Sequence, residues 1–377
     1  MKKVIVGLSG GVDSSVAALL LLEQGYEVEG LFMRNWDSAA NNDKLGNRMI
    51  DDPVCPQEID FQDAQNVADT LGIKLHRHDF VQEYWEDVFV YFLAEYKRNR
   101  TPNPDILCNK YIKFHAFREV AKQLGADYIA MGHYAQVIKD NGVATLLRGL
   151  DGNKDQSYFL SQLTQEQLNA TLFPIGHLEK PVVRKLALEA KLPTATKKDS
   201  TGICFIGERD FQQFLMNYLP AMPGDIVTSS GDIVGRHEGL MYYTIGQRKG
   251  LGIGGSKTLG NEAWFVIGKE LETNHLIVGQ GFHHPTLNSN RCRVTGVNWI
   301  APIKFQGALT CTAKFRYRQA DVNVVLRWVD ETTLDVEYPS LVRAVTPGQA
   351  AVFYAGLVCL GGGTIDEVYM NDEKRRY

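Results

Sequence analysis

Ser9-Gly10-Gly11-Val12-Asp13-Ser14-Ser15 lies between two apolar runs, Val4-Ile5-Val6-Gly7-Leu8 before it and Val16-Ala17-Ala18-Leu19-Leu20-Leu21-Leu22 after it, the second closing at Gly25. The pattern predicts a short buried strand, a glycine turn and a helix. Paired glycines reach positive φ and bring backbone N–H groups close to an anion, while the helix aims its positive end at the same point. The stretch is a phosphate cradle. It contains no G-x-x-x-x-G-K-[ST], so no lysine follows a γ-phosphoryl group, and Gly7, Gly10 and Gly11 do not spell the dinucleotide G-x-G-x-x-G.

Working outward, Tyr26 to Met33 reads as a second strand, Ile73 to Phe80 as a third and Asp127 to Ala130 as a fourth, with helices at Asp60–Leu71, Val81–Arg98 and Lys110–Leu124 between them. Strands alternating with helices predict a doubly wound parallel α/β sheet, whose ligands lie at the carboxyl ends of the strands. That places Met33, Gly132 and His133 on the rim of the phosphate loop. Met33 is either an adenine contact or plain core; His133 either touches substrate or caps its strand. The polar stretch from Arg34 to Pro56 reads as a surface loop able to fold over a ligand. Tyr84, Trp85, Phe89 and Phe92 recur at helical spacing and read as core.

Arg100-Thr101-Pro102-Asn103-Pro104-Asp105-Ile106-Leu107-Cys108 carries two prolines one residue apart, which predicts a rigid extended loop delivering Asp105 and Cys108 to the start of the next helix. A cysteine at a helix start with Lys110 and Lys113 nearby gains thiolate character; otherwise it is a packed thiol. Lys154 and Gln156, in the turn Asp151 to Ser157, are either phosphate or base contacts or parts of a solvated turn. A basic amphipathic helix, Glu179 to Leu192, leads to Thr196-Lys197-Lys198-Asp199-Ser200-Thr201-Gly202-Ile203-Cys204, a loop whose Gly202 and basic pair allow a second notable cysteine to be exposed and favour its thiolate.

From Pro223 the texture changes to short strands and glycine turns, including Tyr243-Thr244-Ile245-Gly246-Gln247-Arg248-Lys249. From about Asn288 a second β region begins, in which Leu309, Cys311, Ala313, Phe315 and Tyr317 alternate with Thr310, Thr312, Lys314, Arg316 and Arg318, a period of two with one basic face. Four more such runs give a barrel of about six strands. Three domains result: a catalytic domain at 1–219, a small central domain at 220–285 and a barrel at 286–377.

The 377 residues are 44% hydrophobic and 22% charged, as in ordinary soluble proteins, and the formal net charge of −4 neither advertises nor excludes a polyanion partner. No apolar run approaches the ~20 residues that span a bilayer, and Met1-Lys2-Lys3 leads straight into a strand, so a cytoplasmic protein with no membrane partner is expected. Six scattered cysteines with no C-x-x-C pair argue against zinc, and no protein-held metal site is expected.

The glycine turn resembles the PP-loop of the ATP pyrophosphatase superfamily, with its adenine nucleotide alpha hydrolase-like fold. Together with Asn103-Pro104-Asp105 and Cys108, Gly132-His133-Tyr134, Lys154-Asp155-Gln156, Gly202 to Gly207, Tyr243 to Arg248 and Pro347-Gly348-Gln349-Ala350, the chain resembles the tRNA-specific 2-thiouridylase family along nearly its whole length. The resemblance implies ATP bound by Gly7, Leu8, Ser9, Gly10, Gly11, Val12, Asp13, Ser14, Met33 and Gly132, with Mg²⁺ on its pyrophosphate. It implies a tRNA anticodon stem-loop with a wobble uridine, contacted by Asn103, Pro104, Asp105, His133, Lys154, Asp155, Gln156, Arg316, Tyr317 and Gln349. Cys204 would carry sulfur as a persulfide from a sulfur-donor protein, a cysteine desulfurase or a sulfur-relay protein. Cys108 would attack its inner sulfur, and a cellular thiol reductant would reopen the resulting disulfide. Asp105 would be a general base or a base-positioning group. The alternative is a PP-loop ligase or amidotransferase acting on a small metabolite, which would need no basic barrel.

Overall fold

The computed structural model describes residues 1–47, 56–199, 206, 209–254, 262–303 and 307–377. Its first domain is built on a five-stranded parallel sheet. β1 (Lys3–Gly7) lies between β2 (Glu27–Arg34) and β4 (Tyr128–Ala130), with β3 (Leu75–Asp79) beyond β2 and the short strand Thr171–Leu172 beyond β4. The chain winds one way from β1 through β2 to β3 and then crosses to β4, so the order reverses beside β1. Such a switch opens a crevice at the strands' carboxyl ends, where ligands bind.

Both faces of the sheet are covered. Val4, Val6 and Phe32 pack under Ala18 and Leu21 of α1 (Val12–Glu23) and Ala64 and Val67 of α2 (Pro56–Leu71). Ile5, Leu31 and Met33 face a larger core with Tyr84, Phe89, Phe92, Ile106 and Cys108. The aromatic stripe is core, as its helical spacing predicts. Two departures from the predicted elements matter. The residues after β2 form a loop with Ala39, Ala40, Asn42, Lys44 and Leu45 exposed, but it is anchored where the sequence predicts a surface loop: Asn35, Trp36, Asn41, Asp43 and Asn47 are all buried. Trp36 stands among Tyr84, Trp85, Phe89 and Phe214, so burial of a large aromatic outweighs the polar composition around it. The remainder of that stretch, residues 48–55, lies outside the described residues. The second departure is at Pro104, which begins a helix instead of ending a loop.

The central domain is a four-stranded sheet in the order Trp264–Glu270, His275–Gln280, Gly224–Thr228, Ile233–His237. Six antiparallel strands, Asn288–Trp299, Ala308–Lys314, Val322–Trp328, Leu334–Arg343, Ala350–Ala355 and Val358–Met370, then close into a barrel, the first pairing with the last. Closure leaves no bare edge in the ring. The predicted alternation holds inside it: Ala313 and Phe315 are fully buried against Val324, Leu326 and Phe353. Its basic face is shorter than predicted, because the strand ends at Lys314 and Arg316 turns to the seam with the central domain. A hairpin of the first domain, Ala135–Asp140 with Val143–Arg148, extends the barrel sheet through Leu147 opposite Val358. No helix among the described residues is long and apolar enough to cross a membrane.

Candidate active site

The glycine turn leaves β1 at the sheet's switch point. Gly10 has φ +71°, and a Cβ there would stand 2.2 Å from the Asp60 carbonyl, so the turn is both left-handed and pressed on the start of α2; only glycine fits. Ser14 Oγ lies 3.2 Å from both the Ser9 N–H and Ser9 Oγ and donates to the Gly11 carbonyl, holding the loop in one shape. The first N–H groups of α1 have no partner within their helix and point to the crevice, the arrangement that suits an anion.

Beneath the turn, a Cβ on Gly7 would meet Met131 Sδ at 2.7 Å and Met33 Cε at 3.4 Å, so Met33 lies directly under the phosphate loop. Gly132 has a packing reason for its identity: a Cβ would stand 2.8 Å from the Asp13 carbonyl carbon and the Ser14 nitrogen, letting β4 close on the first turn of α1.

Asp13 is pinned from two sides, by Tyr134 Oη at 2.8 Å and by Lys180 Nζ at 2.8 and 2.9 Å. Lys180 also reaches Asp199 at 2.8 Å, and Asp199 in turn takes Lys154 and Arg184, each at 2.8 Å. Burial pushes the Asp199 carboxyl up, but hydrogen bonds from Lys154 and Lys180 outweigh it and hold its pKa at about 2. Lys180 and Asp199 were not singled out from sequence as site residues. One signal was legible: Lys180 opens the helix Lys180–Glu189, where the dipole disfavours a cation, so it needed carboxylate partners.

The helix bearing the cysteine runs without a break from Pro104–Leu107 through a π-helical stretch, Cys108–Ala116, to Phe117–Gln123. Pro104 starts it because a missing N–H costs nothing in a first turn, and Asn103 Oδ1 accepts the Asp105 N–H at 3.2 Å as the cap. Asp105 therefore sits in the first turn and Cys108 at the opening of the wide turn, fully buried in the large core that runs from β1 and β2 into the central domain and the barrel. Burial raises the other described thiols, Cys311 and Cys359 to about 12 and Cys292 further, which keeps them protonated and inert. Cys204 and Cys55 lie outside the described residues.

His133 is buried between Phe114 and Phe173. Burial, aided by the Lys113 charge, pushes its pKa well below 6.5, so it is neutral. The unfolded chain binds a proton there below about 6.5 and the native ring does not, so stability is complete above that pH and declines as pH falls through it. Urea midpoints at pH 7.5 and 5.5 should differ less in His133→Gln than in the parent; an unchanged difference would contradict this.

The remaining expected contacts are placed as follows. Lys154 joins the Asp13–Lys180–Asp199 network beside the phosphate turn. Asp155 is buried and receives the Gly149 and Ser157 N–H groups and the Ser157 hydroxyl, each at 3.0 Å. Gln156 pairs with the Tyr134 backbone, Oε1 accepting its N–H at 2.9 Å. Arg316 Nη2 donates to Thr346 Oγ1 and the Ile245 carbonyl, Tyr317 packs on Phe159 with centroids 4.4 Å apart, and Gln349 Nε2 donates to the Thr101 carbonyl. Asn35, which carries no local sequence signal of a role, is fully buried just beyond β2, and neither end of its carboxamide is bonded among the described residues. Such a group is costly unless a ligand meets it. Among the described residues no set of three or more His, Cys, Asp or Glu gathers as metal ligands.

Family models described as tRNA methyl transferase HUP domain, tRNA methyl transferase PRC-barrel domain and aminomethyltransferase beta-barrel domain match residues 2–208, 212–280 and 289–365. The chain is 58% identical to the tRNA-specific 2-thiouridylase MnmA of Acholeplasma laidlawii over 376 residues, covering 100% of this chain and 99% of that protein. To the protein of the same name from Bacillus subtilis it is 55% identical, covering 100% of this chain and 98% of the relative. With that identity over its whole length, the chain belongs to the tRNA-specific 2-thiouridylase family.

Proposed function

We propose that the protein converts the wobble uridine of tRNA anticodons to 2-thiouridine at the expense of ATP. The observation that carries this reading is a phosphate turn at the sheet's switch point, with Met131 and Met33 directly beneath it, in a chain 58% identical over its whole length to a tRNA-specific 2-thiouridylase. A uridine carbonyl oxygen leaves poorly, so it attacks the α-phosphorus of ATP, displaces pyrophosphate and becomes an adenylate. The terminal sulfur of a Cys204 persulfide, either freed first as hydrosulfide or still attached to Cys204, then adds at C2 and AMP departs. Cys108 attacks the inner sulfur of Cys204, either releasing hydrosulfide as the nucleophile or resolving the adduct, and both routes end in a Cys108–Cys204 disulfide for a thiol reductant to reopen.

Ser9 to Ser14 and the start of α1 would hold the pyrophosphate, with Met33 and Gly132 lining the nucleoside side and Asn35 offering its carboxamide to a base edge. Mg²⁺ carried on the phosphate oxygens of ATP would neutralise their charge. Asp105, in the first turn of the Cys108 helix, would move the proton or orient the uracil. The uridine must be splayed out of its stack to reach this depth. Arg316, Tyr317 and the exposed Arg248-Lys249 loop would hold the stem. A sulfur-donor protein loads Cys204.

Incubating tRNA with the protein, ATP and a sulfur source, then digesting it for nucleoside mass spectrometry, tests the reading. A 2-thiouridine mass at the wobble position, dependent on ATP, is expected. Pyrophosphate release driven by a small metabolite, with tRNA unmodified, would point to the ligase alternative and overturn it.

A further inference from the structure

The chain enters the Cys108 helix through Arg100-Thr101-Pro102, and all three domains meet on these residues. The Thr101 N–H donates to the Pro347 carbonyl of the barrel at 3.1 Å, and Gln349 Nε2 donates to the Thr101 carbonyl at 2.8 Å. Thr101 Oγ1 lies 3.2 Å from Thr244 Oγ1 of the central domain. Arg100 is tied to Asp366 at 2.6 Å and to the Ile365 carbonyl at 2.9 Å. Gly348 has φ +90°, and a Cβ there would stand 2.9 Å from the N, C and O of Thr101, so backbone lies directly on backbone. Two residues past Thr101 is Asn103, whose side chain caps the helix carrying Asp105 and Cys108.

Residues 346–349, the strap that makes the barrel's contacts to Thr101, are held at their other end by Arg316. Its guanidinium bonds Thr346 Oγ1 at 2.9 Å and the Ile245 carbonyl at 3.0 Å, both neutral acceptors, and the half-buried charge has no carboxylate in salt-bridge range among the described residues. An arginine left without an anion on an otherwise polar seam suits a phosphate. Thr346 is itself buried and donates onward to the Ala344 carbonyl, so a pull on Arg316 reaches the strap without slack.

We propose that residues 346–349 act as a positioning strap: a tRNA phosphate taken by Arg316 sets, through Thr346, Gly348 and Thr101, the placement of the Asn103-capped helix and so of Asp105 and Cys108. Barrel occupancy by tRNA and readiness of the cysteine helix are then one event. The consequence for chemistry rests on the reading of Cys108 as the sulfur-handling group; the structural coupling does not. Gly348, Thr346 and Thr101 are positioning residues, since none of them need touch the reacting atoms.

The test uses the full chain and an anticodon stem-loop RNA. Hydrogen exchange of the amides of residues 105–109 should slow when the RNA binds the parent protein, and this protection should be lost in Gly348→Ala. Single-turnover thiolation at saturating tRNA should fall on the order of tenfold or more in that variant, as expected of a misplaced catalytic helix, with tRNA affinity held within about twofold. Thr346→Val, nearly isosteric, should show the same split more weakly, and Thr346→Ser should restore the rate. Equal protection in parent and Gly348→Ala, or rate losses that merely follow lost tRNA affinity, would overturn the proposal. If protection behaves as expected but Cys108→Ser still thiolates, the functional reading falls and the strap stands.

Discussion

Replacing Cys108 with serine is expected to abolish thiolation, by a factor on the order of 10³ or more, while ATP binding stays within about twofold. A serine hydroxyl is close to the thiol in size, so the packing around the buried side chain is kept, but it ionises far less readily and cannot form or exchange a disulfide. Cys204→Ser should give the same loss for a different reason, since an oxygen cannot carry the sulfane sulfur. Nucleoside mass spectrometry of treated tRNA, with calorimetric titration of ATP alongside, separates the outcomes. A double variant that still makes 2-thiouridine would end the two-cysteine mechanism, and a variant that loses ATP binding too would show that the thiol matters to the fold instead.

The largest stability effect is expected from Arg209→Met. Asp43 is wholly buried and takes Arg209 Nε at 3.1 Å, Arg209 Nη2 at 3.0 Å and Trp36 Nε1 at 3.0 Å. The same latch is stitched by Asp210 N–H to the Gly46 carbonyl at 3.1 Å and by Asn217 Oδ1 accepting the Lys44 and Leu45 N–H groups. Removing the guanidinium leaves a carboxylate in an aromatic core, which costs about 3–5 kcal/mol. Urea unfolding should register that loss. Combining it with Asp43→Leu should recover most of it, because a pair replaced together leaves no stranded charge. A change below about 1 kcal/mol, the range of exposed pairs, would refute the assignment. Because Arg209 follows the Cys204 segment directly in the chain, the single variant should also slow thiolation.

The phosphate turn, the order of its strands and helices and the barrel were legible in the sequence because each rests on local rules. Gly10 and Gly11 between two apolar runs admit few conformations, and alternation along residues 309–315 marks a strand with one buried face wherever it ends up. Family motifs then named the cysteines. What stayed hidden was decided by contacts between residues far apart in the chain. Nothing near Trp36 announces that Phe214 will pack on it, so the polar stretch reads only as a surface loop. Gln349 and Gly348 carry no local mark of the Thr101 backbone against them. Lys180 hinted at its partners through its unfavourable place at a helix start, yet only folding could name Asp13 and Asp199. Periodicity and backbone freedom are written residue by residue, so one chain read alone determined the cradle and the barrel. Burial and charge compensation arise when distant segments meet, so tertiary structure alone decided what holds Asp13, what latches Asp43 and what bears on the helix of Cys108.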